Sequence, residues 1–268
     1  MQFATAIELF RIRILEAVGR AKITSVEFLS YEMRKAWRLD KSTYDGLVML
    51  CAPGTHEAAI SLLLRHDVPR TSVLDLGSGS GAMLARLRDV GFTQLHAVER
   101  NANRFQLAGI DPLAVDLNGE FCRQVDRCFA LISAIEIIEH LDCPRHFLRQ
   151  VRVLLDEGGY LLLTTPNVSH WVGRIHFFLR GELRWFAAKH YPMHVSPITD
   201  VQMRFMLKEN GLELVDSTSA GSFFGPLKHL ALAPVSLFFG AVFGRRTWGD
   251  INIYLAKKSN TETAVKRK

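Results

Sequence analysis

One glycine-rich turn constrains the fold of this chain more than any other stretch of its sequence. Residues 72–83 read SVLDLGSGSGAM, an apolar run followed by three closely spaced glycines and then a helical pattern. Glycines let the backbone turn sharply and let a ligand approach without meeting a Cβ atom. The segment therefore predicts a buried β-strand, a ligand-binding turn and a helix, which together begin a βαβ unit.

An acidic residue at the end of the next predicted strand indicates what kind of ligand binds there. Glu99 lies 22 positions after Gly77, the first glycine of the turn. A carboxylate at this place can accept hydrogen bonds from both hydroxyls of a ribose. The spacing predicts an adenosine-containing cofactor at the carboxyl ends of the strands.

The position of Asp75 separates two such cofactors. Asp75 stands two residues before Gly77, at the turn where a dinucleotide would place its pyrophosphate. A carboxylate there repels phosphate but suits an ammonium group, which S-adenosylmethionine (SAM) carries without any phosphate. The glycine spacing alone is a weak signal for dinucleotide binding. SAM is therefore the favoured cofactor. Two alternative functions remain: a NAD-dependent oxidoreductase that uses the same glycines, and a non-catalytic SAM-binding scaffold.

Short apolar runs and helical patterns alternate after residue 71. Strands are predicted at 72–76, 94–99, 113–117, 127–134 and 159–165, and helices at 82–90, 101–108, 144–155 and 199–209. This alternation is typical of an α/β protein with a doubly wound parallel sheet covered on both faces.

The segments before, within and after this pattern differ from it in sequence composition. Residues 1–70 predict a helical N-terminal cap, and 71–258 form the cofactor-binding domain, with an aromatic-rich insertion at 166–198 and an apolar insertion at 219–249. Residues 259–268 predict a disordered basic tail. The apolar insertion is shorter than the roughly 20 residues of a membrane span. It is either a buried helical pair or dimer contact, or an interfacial segment that meets a membrane or holds a lipid-linked acceptor.

Composition excludes several classes of protein. The chain has 268 residues, of which 48% are hydrophobic and 22% charged, so wholesale disorder is excluded. The net charge of +6 suits a negatively charged partner such as an anionic membrane, but it is too dispersed to indicate nucleic acid. Four scattered cysteines argue against structural zinc and favour a cytoplasmic protein, which the basic segments allow to be membrane-associated.

The motifs, taken in order, resemble those of the class I SAM-dependent methyltransferases over about residues 55–257. The stretch ALISAIEIIEHL resembles the fourth-strand segment of the subgroup related to ubiquinone-biosynthesis O-methyltransferases. The resemblance implies a Rossmann-like fold with a seven-stranded, mostly parallel sheet. Its last strand would run antiparallel in a late hairpin of 212–217 with 251–256, with the apolar insertion before that last strand.

The same resemblance implies a set of site residues. The residues at the methionine end of SAM would be Asp75, Gly77, Gly79 and Gly81, and Glu99 would bind the ribose. Asp116 would meet the adenine amino group, and Leu117 would pack on the adenine ring. The residues that would lie along the cofactor are Ala134, Ile135 and Glu136. Asp111 is an alternative to Asp116 if the strand slips. His56 covers the open side of the cofactor or simply begins a helix. The sequence shows no metal-site signature, so no metal ion is expected.

Two histidines are the candidates for catalysis. Methyl transfer by in-line displacement needs the acceptor atom aligned behind the methyl group and a base for any proton. His140 follows the fourth strand and His194 begins the segment after the fifth, so either can face the acceptor, unless both only hold turns. The sequence thus predicts O-methylation of a small-molecule acceptor or a lipid- or sugar-linked, cell-envelope type acceptor. It leaves the oligomeric state open.

Overall fold

The computed structural model describes residues 43–221 and 249–259. Residues 1–42 of the predicted cap, 222–248 of the predicted apolar insertion and 260–268 of the predicted tail lie outside the described residues. The described strands are β1 Thr43–Tyr44, β2 Leu47–Val48, β3 Ser72–Leu76, β4 Gln94–Val98, β5 Phe129–Ala134, β6 Leu155–Pro166, β7 Leu212–Ala220 and β8 Ile251–Lys258. The described α-helices are α1 Thr55–Leu64, α2 Ala82–Asp89, α3 Pro144–Leu154, α4 Trp171–Arg180 and α5 Asp200–Glu209.

Six of the described strands form one mixed sheet in the order β4-β3-β5-β6-β8-β7. Strands β4, β3, β5 and β6 run parallel to one another, and β8 runs antiparallel to both β6 and β7. The predicted late hairpin is confirmed, because β7 pairs with β8 from Leu212↔Lys258 to Ala220↔Ile251. The architecture is the doubly wound α/β sheet that the alternating pattern predicts, and it is the Rossmann-like fold that the resemblance implies.

The predicted strand at 113–117 is reduced to a single bridge between Val98 and Leu113. Leu113 donates to the Ala97 carbonyl and accepts from the Glu99 N–H, so one residue completes its pairing with β4. The chain then turns, because the Asp116 carboxylate accepts from the N–H of Asn118 at 3.0 Å. A carboxylate that bonds its own backbone two residues on favours a turn over a strand, so the seventh strand does not extend.

Apolar side chains alternate between the two faces of the sheet. Val73 and Leu131 pack with α1 and α2, whereas their neighbours Leu74 and Ile132 pack with α3 and α5. All four are buried. A strand buried on both faces reads as a continuous apolar run, which is the signal that predicted a doubly wound sheet.

Local sequence explains where two of these helices begin. Pro144 occupies the first turn of α3, where its missing N–H costs no hydrogen bond. Before α5, Thr199 and Gln202 form a reciprocal capping box that satisfies two backbone donors. No described helix is both long and apolar enough to cross a bilayer.

The predicted helix at 101–108 is wrong. Only Ala102–Arg104 is helical, as a single 3-10 turn, and the backbone is extended at Phe105. The Gln106 N–H bonds to the carbonyl of Ser80 in the glycine-rich loop at 3.1 Å. A tertiary hydrogen bond therefore takes a donor that a helix would use internally.

The described part of the predicted helical cap also contains a hairpin. Strands β1 and β2 pair antiparallel across Asp45 and Gly46, whose φ angles are 50° and 79°. An Asp-Gly pair with two positive φ angles is the type I′ turn that tight hairpins favour. Helix α1 follows this hairpin, and α4 lies inside the aromatic-rich insertion that has no predicted helix.

Candidate active site

A cleft opens at the carboxyl ends of β3 and β5. The residues predicted to contact the cofactor that line it are His56, Asp75, Gly77, Gly79 and Ile135. They come from helix α1, strand β3, the loop after β3 and the turn after β5. The fold thus brings together side chains that are far apart in sequence, at the edge where parallel sheets bind ligands.

The glycine-rich loop needs the conformational freedom of glycine. Gly77, Gly79 and Gly81 have φ angles of 74°, 55° and 91°, in the left-handed region. A Cβ atom at Gly77 would also overlap the side chain of Ile137. The loop is fixed to the neighbouring strand because the Gly77 and Ser78 N–H groups both donate to the Val98 carbonyl, at 2.8 and 3.0 Å.

Asp75 lies beneath this loop and is almost fully buried, with 2% of its surface exposed. Its Oδ1 accepts a hydrogen bond from the Ser133 hydroxyl at 2.6 Å, across the pairing of β3 with β5. Burial raises the pKa of Asp75 from 3.8 to about 6, and the Ser133 hydrogen bond opposes this rise. A buried carboxylate without a cation would gain from a positively charged ligand group beside it.

Glu99, the predicted ribose ligand, also stabilises the glycine-rich loop. Its two carboxylate oxygens accept from the N–H of Gly79 at 2.8 Å and from the N–H of Asn101 at 3.0 Å. Each oxygen keeps a further lone pair for a ligand hydroxyl. The carboxylate thus links the glycine-rich loop to the end of β4.

The hairpin formed by β1 and β2 covers one side of the cleft. The Ser80 hydroxyl donates to the Val48 carbonyl at 2.6 Å, and Val48, Leu50 and Cys51 all line the cleft. A Cβ atom on Gly79 would lie 3.0 Å from Cδ1 of Leu50. These three lining residues are absent from the sequence-based set, although the Asp-Gly turn was a signal for the hairpin that carries them.

His56 lies in the first turn of α1 and is buried, with 4% of its surface exposed. Burial, and then the nearby Arg86 charge, lower the pKa of His56 to about 3. The imidazole is therefore neutral across the physiological range. Arg86 itself is held by an ion pair with Glu57 and lies over the ring of Tyr44, 4.0 Å from its centroid.

The predicted adenine contacts lie on the loop after β4. Asp116 is half-exposed, and its carboxylate lies 3.8 Å from the Arg100 guanidinium. Leu117 is buried in the core with 8% of its surface exposed. Asp111 is exposed on the same loop.

Strand β5 ends at Ala134, which is buried, and Glu136 in the turn that follows has a φ angle of 54°. Left-handed backbone is uncommon for a residue other than glycine. Thr164 stabilises this conformation, since its hydroxyl accepts from the Glu136 N–H at 2.8 Å and donates to the Glu136 carboxylate at 3.0 Å. Burial raises the pKa of Glu136 to about 7.

His140 and His194 form a cluster a few residues beyond this turn. Their ring centroids lie 4.8 Å apart at an angle of 76°. The rings of Phe186 and His190 flank His194 at 5.5 and 5.4 Å. Burial first, and then the neighbouring His140, lower the pKa of His194. The two catalytic candidates are therefore neighbours rather than alternatives on separate surfaces.

The cleft fits SAM better than a dinucleotide. Among the described residues that line it there is no lysine or arginine to neutralise a pyrophosphate, whereas Asp75 supplies a buried carboxylate. The one ionisable base that lines it, His56, is neutral. This charge balance suits an ammonium group.

A comparison with known families matches residues 50–217 to the family described as "Methyltransferase domain". The match covers more than half of the chain. The chain belongs to this methyltransferase family. It is a SAM-dependent methyltransferase, and SAM is its cofactor.

The individual relatives share little sequence identity with this methyltransferase. It is 23% identical over 181 residues to the ubiquinone biosynthesis O-methyltransferase of Acinetobacter baylyi, across 60% of this chain and 71% of that protein. A SAM dependent methyltransferase from Archaeoglobus fulgidus has a TM-score of 0.51 at 16% identity, over 76% of this chain and 95% of that one. The magnesium protoporphyrin IX methyltransferase of Synechocystis PCC 6803, with bound SAH, has a TM-score of 0.51 at 12% identity, over 94% and 95%. At such identities these structures support the fold alone.

Proposed function

We propose that this methyltransferase methylates an oxygen atom of its acceptor, with His140 or His194 assisting removal of the hydroxyl proton. Asp75, the glycine-rich loop and Glu99 would hold SAM, which supplies an electrophilic methyl group on a sulfonium. His56, Asp116, Leu117 and the turn at Ala134, Ile135 and Glu136 complete the proposed cofactor contacts.

The tautomeric state of the two histidines carries this proposal. Nδ1 of His140 lies 2.7 Å from the Met193 carbonyl, and Nδ1 of His194 lies 2.8 Å from the Trp185 carbonyl. A carbonyl can only accept, so each Nδ1 must be the protonated nitrogen. Each Nε2 therefore keeps the lone pair that a general base needs. A base matters most for a hydroxyl acceptor.

Methyl transfer tests the proposal directly. The purified protein is incubated with SAM and with hydroxyl compounds of phenolic, sugar-linked and lipid-linked type, and the methylated product is identified by mass spectrometry. We expect His140→Gln or His194→Gln to lower turnover at least about 100-fold while SAM affinity is kept. His146→Gln is the matched control, since His146 also bonds a backbone carbonyl, that of Gly119, on a different surface. Methylation confined to nitrogen, or full turnover in both variants, would refute the assignment.

The acceptor is proposed to be a small molecule or a lipid- or sugar-linked compound taken up from an anionic membrane surface. Helix α4 supports this, because Phe177, Phe178 and Leu179 are exposed on it by 52%, 87% and 71%. Arg174 and Arg180 on the same helix are exposed. Apolar side chains beside arginines suit a surface of anionic lipid.

Vesicle binding tests the membrane contact. We expect the protein to sediment with vesicles that contain phosphatidylglycerol but not with phosphatidylcholine alone, and Phe178→Ser to weaken the binding. Val201→Ser, at another exposed apolar position, is the control. Equal sedimentation of both variants and wild type would contradict a role for α4.

The described cysteines are all unpaired, which supports a reducing, cytoplasmic location for the protein.

A further inference from the structure

The first turn of helix α1 lies at the cofactor cleft and has backbone donors that the fold does not use. His56, in that turn, lines the cleft, whereas the later residues of this helix do not. No side chain caps the helix, because the residue before it is Gly54, which has a φ of 82°. The N–H groups of His56 and Glu57 have no acceptor among the described residues. Such a helix N-terminus offers hydrogen-bond donors and partial positive charge to a ligand.

The side chain of His56 is a second, independent indication of the same ligand chemistry. The residue is buried, and its Nδ1 has no hydrogen-bond partner within the described part of the chain. Buried polar groups are costly unless they are hydrogen-bonded. A neutral imidazole carries one N–H, which a ligand oxygen can accept. The backbone of this turn and the side chain that it carries therefore both favour an acceptor in the cleft.

The charges around this turn favour an anionic acceptor. The positive charge of Arg86 acts on His56, because it adds to burial in lowering the pKa of the imidazole. Glu57 is the acidic residue of the first turn, and its carboxylate forms an ion pair with Arg86. Neutral N–H donors with a partial positive charge suit the single charge of a carboxylate.

A second helix N-terminus without a side-chain cap meets the same cleft. Ala82 and Met83, in the first turn of α2, line the cleft, and the residue before them is Gly81, with a φ of 91°. The partial positive charges of two helices therefore act on one cleft. Asp75 supplies a buried carboxylate to the same cleft. The cleft thus has one group for a cation and several N–H donors for an anion, which is complementary to a zwitterion.

We propose that the first turn of α1, together with the His56 imidazole, binds the α-carboxylate of SAM. The amino-acid end of SAM carries an ammonium group and a carboxylate on the same carbon atom. Asp75 would hold the ammonium group, and the N–H groups of His56 and Glu57 would hold the carboxylate. His56 then makes the cleft selective for ligands with a complete amino-acid group. This assignment rests on SAM as the cofactor and not on the methylated atom or on the two catalytic candidates.

Calorimetry with SAM and with decarboxylated SAM tests the site without any methyl acceptor. We expect the wild type to bind SAM at least about 100-fold more tightly, because several donors lose a charged acceptor in the second ligand. His56→Leu keeps the bulk of the side chain but not its N–H. It should lower the affinity for SAM at least about tenfold and leave the affinity for decarboxylated SAM nearly unchanged.

Two further variants separate the N–H of His56 from the shape of its side chain. His56→Gln restores an N–H donor, so it should recover most of the affinity that His56→Leu loses. His146→Leu is the matched control, since His146 also lies in the first turn of a helix, α3, but bonds the Gly119 carbonyl. This variant should bind both ligands as the wild type does.

NMR spectroscopy of the ¹⁵N-labelled wild type reads the contribution of the backbone. The amide signals of His56 and Glu57 should shift when SAM is added and shift much less with decarboxylated SAM. The amide of Gly79 is the internal control, because it donates to Glu99, the predicted ribose ligand, at 2.8 Å. Both ligands contain the ribose, so both should shift this signal.

Each result either supports or overturns the carboxylate site. Equal affinity of the wild type for the two ligands overturns it, as does an equal loss of both ligands in a folded His56→Leu variant. If that variant does not fold, the amide signals decide, and His56 and Glu57 signals that SAM leaves unmoved overturn the site. Absence of any SAM binding overturns both the site and the cofactor. Methylation confined to nitrogen would refute the proposed function and leave the site.

Discussion

Replacing Asp75 by asparagine separates the cost of a buried carboxylate from its use in cofactor binding. Asp75 is buried beneath the glycine-rich loop, and one oxygen accepts from the Ser133 hydroxyl at 2.6 Å. The amide oxygen of asparagine can accept the same bond in the same space. The substitution therefore removes a charge while leaving the packing nearly unchanged.

The pKa of Asp75 sets the size of the effect on stability. Burial raises this pKa from 3.8 to about 6, a difference of roughly two units. Since each unit corresponds to about 1.4 kcal/mol, ionised Asp75 costs the cofactor-free fold about 3 kcal/mol. For a carboxyl with a raised folded-state pKa, the relative stability is present below pH 3.8 and is lost as pH rises through about 6. At pH 8 the asparagine variant should therefore be more stable than the wild type by up to about 3 kcal/mol.

Urea unfolding at pH 4.5 and pH 8, together with calorimetry of SAM binding, measures both effects. We expect Asp75→Asn to gain about 3 kcal/mol at pH 8 but only about 1 kcal/mol at pH 4.5, and to lose SAM affinity at least about 100-fold because the ammonium group loses its counter-charge. SAM binding to the wild type near pH 6 should release part of a proton, detectable as a heat that depends on the buffer. Asp126→Asn, at an exposed carboxylate that lies 3.5 Å from Arg127, is the control.

A specific pair of results would refute this reasoning. If Asp75→Asn loses stability equally at both pH values, the carboxylate is stabilising and its pKa is not raised by burial. If the variant also binds SAM as tightly as the wild type, Asp75 does not hold the ammonium group. Tight NAD binding by the wild type with no heat from SAM would contradict the charge argument for the whole cleft.

Three further substitutions, with a fourth as a control, test single contacts. Gly77→Ala should abolish SAM binding and lower the free energy of unfolding by about 3 kcal/mol, because the new Cβ overlaps a side chain and the residue has a positive φ. Gly109→Ala is the control. Gly109 has a φ of 82° and nothing within 4 Å of an added Cβ, so urea unfolding should show a loss of only about 1 kcal/mol. Glu99→Gln should lower SAM affinity at least about tenfold by calorimetry and cost about 2 kcal/mol, since two backbone N–H groups lose a charged acceptor. Thr199→Ala should cost about 1 kcal/mol of unfolding free energy and leave turnover intact, because only a helix cap is lost; reduced turnover would show that α5 positions the site.

Periodicity predicted the parts of the fold that depend on local burial. The strand at Ser72–Leu76 and the helix that follows it were identified because apolar runs and glycines encode them directly. The strand at 113–117 and the helix at 101–108 depend instead on which tertiary partner takes the backbone donors. Periodicity carries no information about the Gln106 N–H bonding to Ser80, or about the Asp116 carboxylate bonding the Asn118 N–H, so both elements were overpredicted.

The residues of the candidate site were predictable where they are close together in sequence and not where the fold brings them together. Asp75, Gly77 and Gly79 could be assigned to the cleft because they lie next to each other on one turn. The cluster of Glu139, His140 and His194 could not be predicted, because its members come from two segments that only the fold brings together.

The turn after β5 joins the cofactor cleft to the histidine cluster. Ile135 lines the cleft, Ile137 packs against Gly77, and Glu139 with His140 belongs to the cluster. In an extended strand Ile135, Ile137 and Glu139 would share one face, so they could not reach two separate sites. The left-handed backbone of Glu136, with its φ of 54°, provides the change of direction.

This geometry means that the two sites cannot be altered independently through the turn. Ile137 supports the glycine-rich loop from one side, and its own backbone carbonyl accepts from the His140 N–H at 3.0 Å. Removing its side chain therefore loosens the loop that faces SAM and the turn that carries the cluster at once. We expect Ile137→Ala to raise the Kd for SAM and to lower turnover together, whereas His194→Gln should lower turnover alone. Equal SAM affinity of Ile137→Ala and wild type would show that the loop keeps its shape without this support.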